Sequence, residues 1–283
     1  MSKIITCIDG SAMSDDVCIA GAWVANTLNK PLMLLHAVEK ANIPTADNLS
    51  GSIGLGARSA LMKEMTNLDE QRSKLALAMG KELLSNAESL AKSKGCSDIE
   101  KIQRHGGIVE AICDLEVDTR FVVIGRSGES HNSNLKALGS HIESIIRRVH
   151  SPILIANKDF NEPNSFMLAY DGRETADKAV ARIIEGGLLQ NLSCHLVSVK
   201  NKQKNLQEKL QQTAKLLQES GFTVEMSLLE GNIFDALTQY KETNAVDMLV
   251  MGAFSRSKLA TVFLGSNTLK MIERTQLPMI VLR

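Results

Sequence analysis

Short apolar runs rich in β-branched residues alternate along the chain with longer stretches whose apolar positions recur every three or four residues. Residues 4–8 read as a buried strand that ends at Asp9-Gly10-Ser11. Ser14-Asp15-Asp16 then supplies helix-start chemistry, with Val17, Ala20, Val24 and Leu28 on one face. Pro31 closes that helix, and residues 32–38 form a second strand. Residues 39–56 read as a glycine-bearing loop, and residues 57–94 as a long helical region, broken or bent near residues 66–69 and capped by Gly95. Strands follow around Ile99 and Ile102, at 121–124 and at 152–156, with helices at 108–117 and after Gly139-Ser140.

The polar segment N-K-D-F-N-E-P-N-S, residues 157–165, is the best linker in the chain. The pattern then starts again. Strands are expected at 166–170, 195–199, 223–229 and 248–251, and from Pro278 onward. Helices are expected at 176–189, 203–220 and 233–240, and after Gly265-Ser266. Landmarks match in order between the halves. Asp9-Gly10 answers Asp171-Gly172, Gly106 answers Gly231, Gly125 answers Gly252, Gly139-Ser140 answers Gly265-Ser266, and Pro152 answers Pro278. Such a match reads as a duplication, which divides the chain into domains 1–157 and 166–283 with a linker at 158–165. Each half is long enough to bury a core of its own.

Alternating strands and helices imply an α/β fold, here two tandem, doubly wound, five-stranded parallel sheets. A common solution for five strands sets the first beside the fourth where the winding reverses, order 3-2-1-4-5, and ligands bind outside the carboxyl ends at that point. Asp9 and Gly125 should therefore share one crevice, and Asp171 and Gly252 another.

Composition narrows the function. Basic and acidic residues number 32 each, so no polyanion partner is implied and nucleic acid is not expected. Aromatic content of 4% is too sparse for a base-stacking platform. The five cysteines, Cys7, Cys18, Cys96, Cys113 and Cys194, form no C-x-x-C and read as buried thiols of a reducing cytosol. No apolar run approaches the roughly 18 residues of a membrane span, and the first residues hold no signal-length apolar stretch, so a cytoplasmic location away from membranes is expected. The six histidines show no metal spacing. G-x-S-x-G and a Walker lysine are both missing, so no catalytic set is assigned and a slow ATPase is the most an enzymatic reading allows.

The chemistry concentrates after the fourth strand of each half. Gly252, two residues, Ser255, nine residues, then Gly265-Ser266 is the spacing in the second; Gly125, two residues, Gly128, ten residues, then Gly139-Ser140 is the spacing in the first. This resembles the nucleotide-binding signature of the universal stress protein (UspA) family: glycine, two residues, glycine, nine residues, glycine, then serine or threonine. The resemblance covers nearly the whole chain as two tandem copies. It implies the adenine nucleotide alpha hydrolase-like fold, ATP or AMP as ligand with Mg²⁺ as a companion ion, a stress-response role exercised through an unidentified protein partner, pairing of the halves through their fifth strands, and a homodimer. By the same resemblance, Gly252, Ser255, Gly265, Ser266 and the adjoining Asn267 would hold phosphates; the loop charges Arg256 and Lys258 could also neutralise them. Asp171-Gly172 would contact the nucleoside end, and Ser198-Val199 would offer backbone groups to the base. The first-half equivalents are Asp9, Ala37-Val38, Gly125, Gly128, Gly139 and Ser140. Ser255 replaces the second glycine, and the first-half loop is one residue longer than the pattern, so the second half is the expected site. A nucleotide-free scaffold of the same fold is the competing reading.

Overall fold

The computed structural model describes residues 2–38, 55–126, 141–252 and 266–283. Five strands of the first half, β1 (Lys3–Cys7), β2 (Leu32–Val38), β3 (Ile99–His105), β4 (Thr119–Gly125) and β5 (Ile153–Ala156), are mutually parallel. Five of the second, β6 (Ser165–Ala169), β7 (Ser193–Val199), β8 (Val224–Leu229), β9 (Met248–Gly252) and β10 (Met279–Leu282), repeat the arrangement. The strand order is β3-β2-β1-β4-β5-β10-β9-β6-β7-β8, a single ten-stranded sheet. Each half therefore has the expected order 3-2-1-4-5. The fifth strands meet in the middle as an antiparallel pair, with Met279 opposite Ile155 and Val281 opposite Ile153. Antiparallel pairing turns the halves head to tail, so the carboxyl ends of β1–β5 and of β6–β10 lie on opposite rims.

Helices cover both faces. On one lie α1 (Ser14–Leu28), α2 (Leu55–Ser93), α5 (Glu174–Gly186) and α6 (Leu206–Glu219), which bring Trp23, Leu84, Ile183 and Leu210 into one apolar layer. On the other lie α3 (Ile108–Leu115), α4 (Ile142–Arg148), α7 (Ile233–Thr243) and α8 (Ser266–Arg274), with Ile112, Ile145, Leu237 and Met271 in the second layer. Both layers run through both halves. The sequence suggests a core for each repeat; the sheet instead divides the core by face, because β5 and β10 leave no break between the repeats. Two arginines cross that join. Arg126, the residue after β4, donates to the carbonyls of Ile272 and, at 3.0 Å, Leu277. Arg283, after β10, donates to the carbonyls of Arg147 and Val149 at 3.3 and 3.2 Å. Burial lowers the Arg126 pKa to about 10, which still leaves it charged at neutral pH.

The long helical region differs from expectation. No break occurs at residues 66–69: α2 is one helix of 39 residues that already contains Gly56. Residues 57–79 hold neither Gly nor Pro, and a Glu70–Lys74 pair at 2.7 Å supports the turn that follows the weak helix formers. Gly80 lets α2 seat on the sheet. A Cβ there would lie 2.1 Å from Gln103 Nε2 and 2.6 Å from His36 Cδ2, so a side chain at this position would displace the Gln103 amide and press on the His36 ring.

Candidate nucleotide-binding crevices

The turn after the first strand of each half is built alike. Asp9 Oδ1 accepts the N–H of Ser11 at 3.0 Å, and Asp171 Oδ1 accepts that of Arg173 at 3.1 Å, an Asx-turn in both cases. The glycine after each aspartate has positive φ, +78° at Gly10 and +77° at Gly172, which the turn requires and which side chains resist. The two turns are secured differently. Asp9 Oδ1 also accepts Ser14 Oγ at 3.1 Å, and that hydroxyl accepts the Gly10 N–H at 2.9 Å. The second turn is gripped from outside. Asn201 Nδ2 donates to the Asp171 carbonyl at 3.1 Å, and Lys209 Nζ donates to the Gly172 carbonyl at 2.7 Å. One carboxylate oxygen of Asp171 stays outside the turn, 3.4 Å from Arg173 Nε, on a side chain that is 26% exposed.

Strand register brings the predicted partners to these turns. Thr6 lies opposite Val123, so Asp9 and Gly125 emerge at the same rim. Leu168 lies opposite Val250, so Asp171 and Gly252 emerge together at the other. Gly252 is buried at the end of β9, where a Cβ would meet the Thr175 carbonyl and Ala179 of α5 at ordinary contact distances of 3.7 and 3.8 Å. Its φ is not positive, so neither backbone conformation nor α5 packing demands glycine at this position. Ser266 and Asn267 open α8, the helix that follows β9. Gly128, Gly139 and Ser140, together with Ser255, Arg256, Lys258 and Gly265, lie outside the described residues.

The ends of β2 and β7 correct one detail. Ile8 N–H donates to Leu35 and Tyr170 N–H to Val197, at 2.8 and 2.9 Å, so these contacts are equivalent. Counting forward pairs Ala37 with Val199, and His36 with Ser198. The sequence match of Ala37-Val38 with Ser198-Val199 is one residue out, because side-chain alternation does not say which way each peptide unit turns. Backbone groups alternate sides along a parallel strand. Val199 and Ala37 therefore turn theirs past the ends of β6 and β1, into the crevices. Ser198 and Val38 turn theirs toward the outer strands, where the Val38 carbonyl accepts Gly106 N–H at 3.1 Å. Ser198 is 1% exposed, and its hydroxyl is buried with no hydrogen-bond partner. In the first half His36 fills the equivalent place and bonds the Ile8 carbonyl through Nδ1 at 2.7 Å. His36 and Arg126 carry no sequence signal of these roles, since both depend on where the strands end.

Helix α2 adds a contact that has no sequence signature. Leu83 would lie 3.0 Å from a Cβ on Gly10, so α2 sits over the first turn. A separate cavity of about 230 Å³ is lined by Arg120, Phe121, Pro152, Arg182 and Leu189 among others, and by none of the predicted site residues. Its Arg120 is engaged by the carbonyls of Glu185 and Gly186, at 3.3 and 3.2 Å.

The sequence matches the universal stress protein family over residues 1–157 and 196–283. The chain belongs to that family. The unmatched interval holds β6, α5 and Asp171, so in that part of the chain the repeat rests on topology: β6 pairs with β7 and β9 as β1 pairs with β2 and β4. A full-length relative is the universal stress protein Slr1230 of Synechocystis, 29% identical over 287 residues and the whole of both chains. Among solved structures, a universal stress protein from Archaeoglobus fulgidus superposes with a TM-score of 0.73 at 17% identity, covering 99% of this chain and 98% of that one. A functionally unknown protein from Pseudomonas aeruginosa PAO1 follows at 0.65 and 13%, covering 100% and 92%. At such identities these two establish the tandem fold and nothing finer. Among the described residues no helix is long and apolar enough to cross a membrane, and no three acidic, histidine or cysteine side chains gather as a metal site.

Proposed function

We propose that this universal stress protein binds an adenine nucleotide, ATP or AMP, in the crevice of its second half, and that it passes the bound state to a protein partner in the cytoplasm. The observation that carries the reading is a convergence. The Asp171 carboxylate oxygen that lies outside the turn, paired only with Arg173 Nε at 3.4 Å, the crevice-facing backbone of Val199 and the end of β9 at Gly252 meet where the winding of the second half reverses. Those groups suit the nucleoside end of the ligand: a carboxylate for ribose hydroxyls, and an N–H and C=O for the edge of a base. Phosphates would lie toward the start of α8, where unpaired backbone N–H groups favour anions. Any Mg²⁺ would enter on those phosphates.

The first half is the weaker candidate. Ser14 takes up Asp9, and Leu83 of α2 sits over Gly10. We assign it the scaffold role, and expect the two domains, 1–157 and 166–283, to have diverged in this way after duplication.

The test is direct. Protein purified from its native cytoplasm and denatured should release an adenine nucleotide detectable by mass spectrometry. Stripped protein should give heat on titration with ATP, and Gly265→Asp should abolish that heat by placing a carboxylate where phosphates are expected. Absence of both nucleotide and heat in the parent chain would sink the proposal and leave a nucleotide-free scaffold.

A further inference from the structure

Helices α2 and α6 end in the same way. Gly95 and Gly221 have φ of +93° and +92°, and the N–H groups of Cys96 and Phe222 return to the carbonyls of Ala91 and Leu217. Counting back from that shared cap, the first residue of α6, Leu206, falls on Gly80. Residues 55–79 of α2 thus have no counterpart in the second half. They add about 35 Å of helix at the usual rise.

The two parts of α2 differ in what they touch. From Gly80 onward, Leu84, Ala87 and Ala91 are buried against the sheet. Before it, Leu68, Leu75 and Met79 are 49%, 61% and 56% exposed, with Met65 half-buried. Met65, Leu68, Arg72, Leu75 and Met79 are spaced three, four, three and four apart. That is the period of a two-helix seam rather than of a helix lying on a sheet. The exposed side chains thus form a single stripe along the projecting helix.

The geometry points to a second copy of this chain as the occupant, docked antiparallel through residues 63–79 of both helices. The charges choose both the occupant and the direction. In heptad terms Met65, Arg72 and Met79 take the first seam position, and Leu68 and Leu75 the second. A parallel pair would set Arg72 against Arg72 within the seam, and Glu64 against Asp69 beside it. Both contacts are like-charged. An antiparallel pair centred on Glu70 sets Met65 against Leu75 and Leu68 against Arg72. Asp69, on the side of the seam that Arg72 occupies, then lies about one helical rise from the facing Arg72, twice by symmetry, so the two Asp69 side chains that approach each other across the two-fold are each matched by an arginine. Among the described residues neither Asp69 nor Arg72 has an ionic partner within its own chain. The acid and base missing from one helix are supplied by its copy. The arrangement also clears the bodies, since the two Gly80 positions stand about 30 Å apart along the paired helices. It is independent of the nucleotide reading and uses a surface separate from the β5–β10 join.

Sedimentation of the full chain tests it. At tens of micromolar the parent should be a dimer. Leu75→Glu, an exposed change that leaves the folded body intact by circular dichroism, should be a monomer. Asp69→Arg and Arg72→Asp should each weaken the dimer at least tenfold, and the double variant carrying both should regain it, because the charge pair is restored in reverse. A merely structural role for these residues would produce no such rescue. A monomeric parent overturns the proposal. So does a dimer indifferent to Leu75→Glu, a double variant as weak as the singles, or a helix occupied by a different protein while the parent stays monomeric.

Discussion

Gly21 of α1 packs directly on Thr6 of β1. A Cβ at that glycine would lie 2.1 Å from Thr6 Oγ1, 2.8 Å from Cγ2 and 3.0 Å from Cβ, all inside contact. Thr6 is fully buried, and its hydroxyl has no hydrogen-bond partner. Two effects compete in Gly21→Ala. Alanine should favour the helix by about 0.5–1 kcal/mol. Overpacking a filled site costs about 1–3 kcal/mol, and the backbone of a central strand cannot move aside. Overpacking should win, so Gly21→Ala is expected to lower the urea midpoint by the equivalent of about 1–2 kcal/mol. Adding Thr6→Ala, which removes the two nearest atoms, should recover part of the loss. A stability equal to or above the parent for Gly21→Ala alone would show that α1 rides free of the sheet. The sequence holds no sign of this contact, because Gly21 reads there as an ordinary small residue on the apolar face of a helix.

Among the elements, strands were the most legible. Each is a short β-branched run bounded by Gly, Pro or Asp, and a strand buried on both faces needs nothing else. The landmark pairs, from Asp9 with Asp171 to Pro152 with Pro278, gave the repeat and with it the order 3-2-1-4-5. The rims were legible too, since parallel register carries Asp171 and Gly252 to one end. Whatever depends on backbone direction or on a partner element was not. The one-residue offset between Ser198 and Ala37 is of this kind, and so are the seating of α2 on the sheet at Gly80 and the reach of Arg126 to α8. Helix α2 reads as helical, but the weak formers at 66–69 suggest a break that the strong formers on either side override. Another hidden element contact places β5. Glu116, in the 3-10 turn Glu116–Asp118 before β4, accepts the N–H groups of Ser151 at 2.7 Å and of His150. Burial raises its pKa, but those two donors together with the His150 ring, 3.3 Å from the other carboxylate oxygen, outweigh it and hold the carboxyl below the ordinary value. A depressed carboxyl contributes stability in full above its unfolded pKa, and loses it as pH falls through the folded value. Glu116→Gln should therefore cost about 1–2 kcal/mol at neutral pH, as loss of a charged acceptor does. Its midpoint should converge on the parent's as pH drops below the ordinary carboxylate range. Parallel curves over that range would show that the charge on Glu116 is not what holds β5.

At the scale of the molecule, two repeats share one sheet and two apolar layers and should behave as one folding unit. Both apolar layers cross the β5–β10 join, and Arg126 and Arg283 tie helix ends of one half to strand ends of the other. Neither half alone would cover its fifth strand, and an uncovered strand edge invites pairing with another chain. Independent repeats would unfold in sequence, each with its own midpoint, whereas repeats sharing a core should not. The chain carries the probes to decide this. Trp23, the single tryptophan, sits in α1 of the first half with its ring centroid 6.1 Å from that of Phe160, so its fluorescence reports on that half. Far-ultraviolet circular dichroism reports on both. In urea the two signals should trace one transition with a common midpoint. The slope should be that of a chain of this length, above the roughly 1–3 kcal/mol per molar seen for small domains. Separated midpoints, with fluorescence lost while half the helical signal remains, would mean that the shared layers are only contiguous. The crevices on opposite rims would then be free to act as separate modules. With a single transition, a nucleotide bound in the second crevice as proposed would stabilise the whole sheet, and ATP should then raise the fluorescence midpoint that Trp23 reports from the first half.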